Sequence, residues 1–332
     1  MFRLIKRTFI IKSVVQDEFG GPDVLKIGTR KLAKRPDANS IRIKIHYTAL
    51  NRADLLQREG KYPNQKSIMN MGLECSGEVY SIGERVKEFS IGDSVMSLLD
   101  VGGYAEYVDV NANFAMKIDG IMPMKEAAGV PETFLTAYQL LHFVGQVENN
   151  SKILIHGAGS GVGTSAIQLA RLTNSELFAT AGSEKKLRIA ENLGAHHLIN
   201  YKEESFGKKF KNIDFILDCV GGSFWKENIR VLAMDGKWIL YGLLGGVNVD
   251  GPLLGMLLSK RAQIRASTLM SRSEVYKSNL VSTFWKDHKN DFISKNLRPV
   301  LDSTFSIQNI AEAQRYMSTD QNCGKILLKI DF

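Results

Sequence analysis

The sequence predicts an α/β protein in two parts, a β-rich first part followed by a doubly wound parallel sheet. Three observations carry this. The chain has 332 residues, room for about two domains. From Lys12 to about Pro131, apolar runs are short, mostly alternating and separated by glycine turns. After about Glu132, apolar strand-like runs alternate with helical spacings, the pattern of a parallel sheet with crossover helices.

Composition narrows the class. Hydrophobic residues make up 44% and charged residues 23%, enough for a core and unlike a disordered or collagen-like chain. Cys75, Cys219 and Cys323 are odd in number and far apart, which excludes a disulfide framework and a four-cysteine zinc lobe. His46, His142, His156, His196, His197 and His288 form no metal-ligand spacing with them. The formal charge of +8 permits an anionic partner without requiring one. No stretch reaches the roughly 18 apolar residues of a membrane-spanning helix. Arg3, Lys6, Arg7 and Lys12 precede the first acid, Asp17, which resembles a very short transit peptide. The plainer reading, and the preferred one, is a basic end running into a first strand. A cytoplasmic location follows, with mitochondrial import as the alternative.

In the first part, strands are expected at Val14-Val15, Ile41–Ile45, Gly77–Ser81 and Tyr104–Val108, as an irregular barrel or sandwich. In the second they are expected at Lys152–His156, Glu176–Ala181, His197–Asn200, Phe215–Cys219, Lys237–Tyr241 and Gln263–Ser267. Val162, Ala166, Leu169 and Ala170 keep a helical spacing between the first two of these. Lys185–Leu193 does so between the next two and stops at Gly194. Beyond Tyr276 a helical stretch, a helix around Ile310–Met317 and a strand Lys325–Ile330 complete the chain.

The strongest local signal runs from Ile153 to Gly163, where an apolar strand enters a glycine turn and then a helix. Such a turn presents backbone N–H groups to a pyrophosphate at the positive end of the helix. The glycines miss the strict G-x-G-x-x-G spacing but fit A-x-x-G-x-G, with Ala158, Gly161 and Gly163. An NAD site places an acid about 20 residues further on, to hold the ribose 2′-hydroxyl. Counting 21 from Gly161 reaches Gly182, followed by Ser183, Glu184, Lys185 and Lys186. A hydroxyl and an ammonium favour a 2′-phosphate where a carboxylate would repel it, so NADPH is the expected cofactor.

Ala49–Asp54, Gly72–Gly77, the Ala158–Gly163 turn and Asp218–Gly222 together resemble the medium-chain dehydrogenase/reductase superfamily. Within it the chain is similar to the zinc-free quinone oxidoreductases, most of all their p53-inducible branch. Asn51–Gly60, Pro131–Val144, Thr180–Leu187 and Leu240–Gly246 carry that likeness, which extends over about 13–330. The resemblance implies a GroES-like catalytic domain over 13–132 and a Rossmann NADP-binding domain over 133–276. A C-terminal segment, 277–332, would rejoin the catalytic domain, with the active site in the cleft between domains. Zinc relatives carry cysteine where this chain has Asn51 and histidine where it has Leu73, and no third ligand stands near 132–137. No metal is therefore expected. Cys75 reads as a small buried filler.

By resemblance, Ser160, Gly161, Val162 and Gly163 meet the pyrophosphate. Gly182, Ser183, Lys186 and Tyr201 surround the 2′-phosphate. Gly242, Gly245, Gly246, Thr268, Leu269 and Met270 run along the nicotinamide half, and Thr136 falls on another cofactor position. Without zinc, hydrogen-bond donors must polarise the acceptor carbonyl. Asn51 and Tyr62 are the catalytic candidates, Tyr62 also able to stack on a flat acceptor. The expected function is NADPH-dependent quinone reduction. An enoyl-thioester or enone reductase is the alternative enzyme. An RNA-binding protein on a retired reductase scaffold is a reading of another class, disfavoured because no basic run is interleaved with aromatics. A homodimer is expected by analogy, with Gln263–Ser267 as the edge that pairs across a two-fold axis.

Overall fold

The computed structural model describes residues 8–63, 65 and 67–332. The chain divides into two units, one running to Glu132 and resuming at Glu274–Phe332, the other Thr133–Ser273. Arg3, Lys6 and Arg7 of the basic N-terminus lie outside the described residues.

The first unit opens on β1 (Thr8–Val15), paired antiparallel along its length with β2 (Lys26–Ala33). It continues through β3 (Ser40–Ala49), β4 (Glu74–Ile82), β5 (Ser94–Leu98), β6 (Tyr107–Asn111) and β7 (Ala115–Lys117). The alternation read in Ile41, Ile43 and Ile45 puts all three in the core. Arg42, between them, is buried too. Its guanidinium meets both oxygens of Asp109 at 2.7 and 2.8 Å and the Ala33 carbonyl at 2.6 Å, so the charge enters the interior paired. The expected strand at Tyr104–Val108 starts only at Tyr107. Tyr104 and Ala105 are buried ahead of it, Ala105 forming an isolated bridge to Ser13.

The second unit contains β8 (Lys152–His156), β9 (Glu176–Ala181), β10 (His197–Asn200), β11 (Ile213–Asp218), β12 (Leu232–Leu240) and β13 (Gln263–Ala266). All pair in parallel, in the order β10-β9-β8-β11-β12-β13. The order reverses between β8 and β11, and in such sheets ligands bind at the carboxyl ends beside the reversal. Ile153, Leu154 and Ile155 are fully buried, as a strand covered on both faces requires. The helix Gly161–Arg171 buries Ala166, Leu169 and Ala170, the spacing read in the sequence. The helix Glu184–Asn192 ends just before Gly194, whose φ of +109° suits glycine and stops the helix.

The remaining chain returns to the first unit. After a helix Glu274–Ile293 come β14 (Leu301–Ser306) and β15 (Lys325–Lys329). β14 runs parallel to β15, and β15 pairs antiparallel with β3. The sheet order is β14-β15-β3-β4-β5-β7, with β6 also on β3. Leu50, Leu55, Tyr104, Ile310, Ile326 and Leu328 share one core beneath it. Among the described residues, no helix is long and apolar enough to cross a membrane.

Candidate active site

In the second unit the glycine turn joins β8 to the helix Gly161–Arg171. Ser160 caps that helix, its Oγ accepting from the Gly163 N–H at 3.0 Å. Among the described residues, the N–H groups of Gly161 and Val162 meet no acceptor. They point out of the positive end of the helix, as an anion requires. Gly163 must be glycine, because a Cβ there would lie 2.2 Å from the Gly157 carbonyl oxygen.

The end of β9 carries the adenosine side. Lys186 lies across Gly159, where an added Cβ would come 2.6 Å from Lys186 Cγ. Tyr201 closes over Gly182, where a Cβ would stand 2.7 Å from the phenol oxygen and 3.1 Å from Lys202 Cε. Gly182, Lys186 and Tyr201 thus gather at one corner, beside Ser183 at the cap of the helix Glu184–Asn192. Lys202 joins them. Sequence reasoning missed it, although it directly follows Tyr201.

At the ends of β11 and β12 two loops are laced together. The N–H groups of Leu244 and Gly245 donate to the carbonyls of Cys219 and Val220 at 3.0 and 2.7 Å, and those of Gly222 and Ser223 to Gly246 and Gly245 at 2.9 and 3.0 Å. Gly242, Gly245 and Gly246 sit in this pair. Thr268, Leu269 and Met270 follow β13 at the same edge of the sheet, with Thr268 Oγ1 2.6 Å from Ser271 Oγ. Thr136 stands elsewhere, buried on the helix Pro131–Tyr138.

Asp218 anchors these loops. One carboxylate oxygen accepts from the N–H groups of Val220 and Gly221 at 2.6 and 3.1 Å, the other from Asn228 Nδ2 and Trp238 Nε1, both at 2.9 Å. Asn228 Oδ1 lies 2.7 Å from His156 Nε2, and His156 Nδ1 lies 2.8 Å from Thr180 Oγ1. Burial lowers the His156 pKa, so the ring sits neutral in this network.

In the first unit Asn51 and Tyr62 flank the helix Arg52–Arg58. Asn51 is its N-cap, and its own N–H donates to Asp54 Oδ2 at 2.7 Å. Its side-chain amide turns to other partners, Nδ2 donating to Glu74 Oε1 at 2.9 Å and Oδ1 accepting from Lys325 Nζ at 2.6 Å. Burial pushes the carboxyl of Asp54 up to about 6 and that of Glu132 up to about 8, with the Glu74 charge adding to both. Tyr62 is half-buried, and burial together with the Glu132 and Asp54 charges pushes its phenol up to about 12. It is therefore a hydrogen-bond donor at any ordinary pH. Burial, then the Glu74 charge, also raises the Cys75 thiol, leaving it an inert filler. Glu74, Glu132 and Lys325 went unnoticed in the sequence because each becomes meaningful only through partners distant in the chain.

Two family models match the chain. Residues 37–120 match the alcohol dehydrogenase GroES-like domain and residues 161–285 the zinc-binding dehydrogenase family. A quinone oxidoreductase from Lama guanicoe is 27% identical over 328 residues, covering 96% of this chain and 97% of its own. Together the two models span more than half of the chain and place it among the medium-chain dehydrogenases/reductases, and it is similar to the quinone oxidoreductases of that family. A synaptic vesicle membrane protein VAT-1 homolog-like from Mus musculus is 28% identical over 346 residues, covering 97% of this chain and 82% of its own. For the fold, the crystal structure of an Escherichia coli quinone oxidoreductase complexed with NADPH superposes with a TM-score of 0.87 at 23% identity, covering 96% of this chain and all of that one. Members of the family are oxidoreductases that bind nicotinamide cofactors. The second unit fits such a group, with unpaired N–H groups at a helix end and glycines where side chains would block approach.

Proposed function

We propose that the protein is an NADPH-dependent, zinc-independent reductase of quinones or similar conjugated carbonyls. The observation that carries this is the corner formed by Gly182, Ser183, Lys186 and Tyr201, with Lys202 beside them, where an NAD site would hold a carboxylate. Ammonium and hydroxyl groups there suit a 2′-phosphate. When bound, the cofactor supplies the hydride. The chain's own work is placement and polarisation. Ser160, Gly161, Val162 and Gly163 hold the pyrophosphate. The laced loops carrying Gly242, Gly245 and Gly246, with Thr268, Leu269 and Met270, shape the nicotinamide half. Asn51 and Tyr62 donate hydrogen bonds to the acceptor oxygen as it gains charge.

Parallel titration with NADPH and NADH, on wild type and Lys186→Ala, tests the cofactor reading. The wild type is expected to bind NADPH more tightly, and Lys186→Ala to lose about tenfold for NADPH alone, the scale of one charged hydrogen bond. Tighter binding of NADH by the wild type would sink the assignment. Glu132 favours a second acceptor class, since an enone or enoyl thioester also needs a proton at carbon and this carboxyl stays protonated near neutrality. Turnover of 1,2-naphthoquinone against crotonyl-coenzyme A separates the two.

We also propose a homodimer through β13, the edge strand of its sheet. Ile264 on the strand is exposed, as are Leu254 and Leu258 on the helix Leu253–Lys260 that leads into it, apolar surface that a second copy would cover. Sedimentation velocity is expected to return a dimer for wild type and a monomer for Ile264→Lys. A monomeric wild type would refute it.

A further inference from the structure

The two ends of an asparagine side chain are alike in shape and opposite in chemistry, so neighbours decide which end faces a ligand. At Asn51 the neighbours leave one choice. Lys325 Nζ, which can only donate, lies 2.6 Å from Asn51 Oδ1. Glu74 Oε1, an acceptor, lies 2.9 Å from Asn51 Nδ2. Turning the amide over would set oxygen against carboxylate and N–H against ammonium. The ammonium is fully used, since it also donates to the Leu50 carbonyl and to Glu74 Oε1, both at 2.7 Å. The other oxygen of Glu74 accepts from the Glu132 N–H at 2.9 Å.

This arrangement is costly. The side chains of Lys325 and Glu74 are 4% and 0% exposed, and an ion pair so deep is seldom more stabilising than an apolar pair of the same volume. Ile326, Leu327 and Leu328 already supply the packing of β15. What the pair adds is orientation.

We propose that Lys325 and Glu74 are positioning residues that clamp the Asn51 amide in one orientation, so that its second Nδ2–H is a fixed hydrogen-bond donor to the substrate oxygen. The proposal rests on the reading of Asn51 as that donor. A free amide would present its carbonyl part of the time, and a carbonyl repels the charge that develops on the acceptor. Clamped, the donor needs no reorganisation as that charge appears.

The test uses the full chain and two readouts. The first is the side-chain amide resonances of protein isotopically labelled at asparagine, with Asn51 assigned by its loss in Asn51→Ala. In wild type the two Nδ2 protons are expected to be well separated, one on a carboxylate and one not, and Lys325→Met should collapse or shift that pair. The second is NADPH-dependent reduction of 1,2-naphthoquinone. Lys325→Met should lower kcat by about tenfold or more, the usual scale for removing a residue that orients another, with KM for NADPH unchanged and partial rescue by Lys325→Arg. In the Asn51→Ala background Lys325→Met should have no further effect on kcat. Unmoved amide resonances would overturn the proposal, and so would an equal loss of kcat in the Asn51→Ala background. If the resonances shift but Asn51→Ala keeps full turnover, the clamp stands and the donor reading falls instead. Should Lys325→Met fail to fold, the double variant Lys325→Met/Glu74→Gln removes the pair as a neutral whole and carries the same measurements.

Discussion

Asp218→Ala is expected to destabilise the second unit by about 3–5 kcal/mol, the range for orphaning buried partners of a carboxylate. Four donors converge on this side chain, two of them main-chain N–H groups at the start of the loop 219–223. Alanine leaves all four without an acceptor in a site with no exposure. The damage travels. Asn228 would lose the partner of its Nδ2 and with it the orientation that offers Oδ1 to His156. The loop it tethers is laced to 242–246, so nucleotide affinity should fall along with stability. Urea unfolding followed by tryptophan fluorescence is the measurement, and Trp238 is a direct donor in the network. Asp218→Asn keeps one acceptor oxygen and should fall between the two. A loss under about 1 kcal/mol for alanine, no more than an ordinary hydrogen bond is worth, would mean that the network is not under load.

Glu132→Gln is expected to make the protein more stable in mild alkali and to leave it nearly unchanged in mild acid. The sign follows from the raised carboxyl. It ionises at about 8 in the folded chain against 4.5 ordinarily. Below the lower value both states hold the proton and the group is neutral in its effect. Between the two values the folded state holds a proton that the unfolded state has released, so stability falls as pH rises, by at most about 1.4 kcal/mol per unit. Above the upper value the loss is complete. Glutamine has nearly the shape of the protonated acid and cannot ionise. The difference in Tm between variant and wild type should therefore be close to zero at pH 4 and clearly positive at pH 8.5. Asp54, pushed up to about 6, tilts both proteins alike and cancels in that difference. Equal Tm differences at the two pH values would show that Glu132 ionises normally.

The nucleotide half of the fold was readable because its physics is local. A strand buried on both faces is apolar along most of its length, and Lys152–His156 and Glu176–Ala181 are strands with those limits in the structure, as is the edge strand His197–Asn200. The glycine turn declares itself by steric need at Gly163. The first unit was less legible. β2 buries none of its residues and presents the sequence KIGTRKLA, whose partner is what makes it a strand. β14, with the sequence LDSTFS and no fully buried residue, has no apolar stripe to announce it. The cluster around Asn51 was out of reach for a different reason. Lys325 meets Asn51 across 274 residues of chain, and a lysine at the head of a strand reads locally as a solvated end. Only the pairing of β15 with β3 turns it inward.

That pairing also sets an order on the making of the molecule. β3 leaves the ribosome early, but β15, which completes its sheet, is synthesised only after the whole of Thr133–Ser273. The second unit has all its strands in hand first and can close by contacts within itself. The first must wait with Leu50 and Leu55 uncovered until Ile326 and Leu328 arrive to share their core, and closing so long a loop is slow. Until then Asn51 and Glu74 lack their ammonium partner. The nascent chain therefore acquires the means to grip a nucleotide well before it can orient the amide proposed to act on the acceptor.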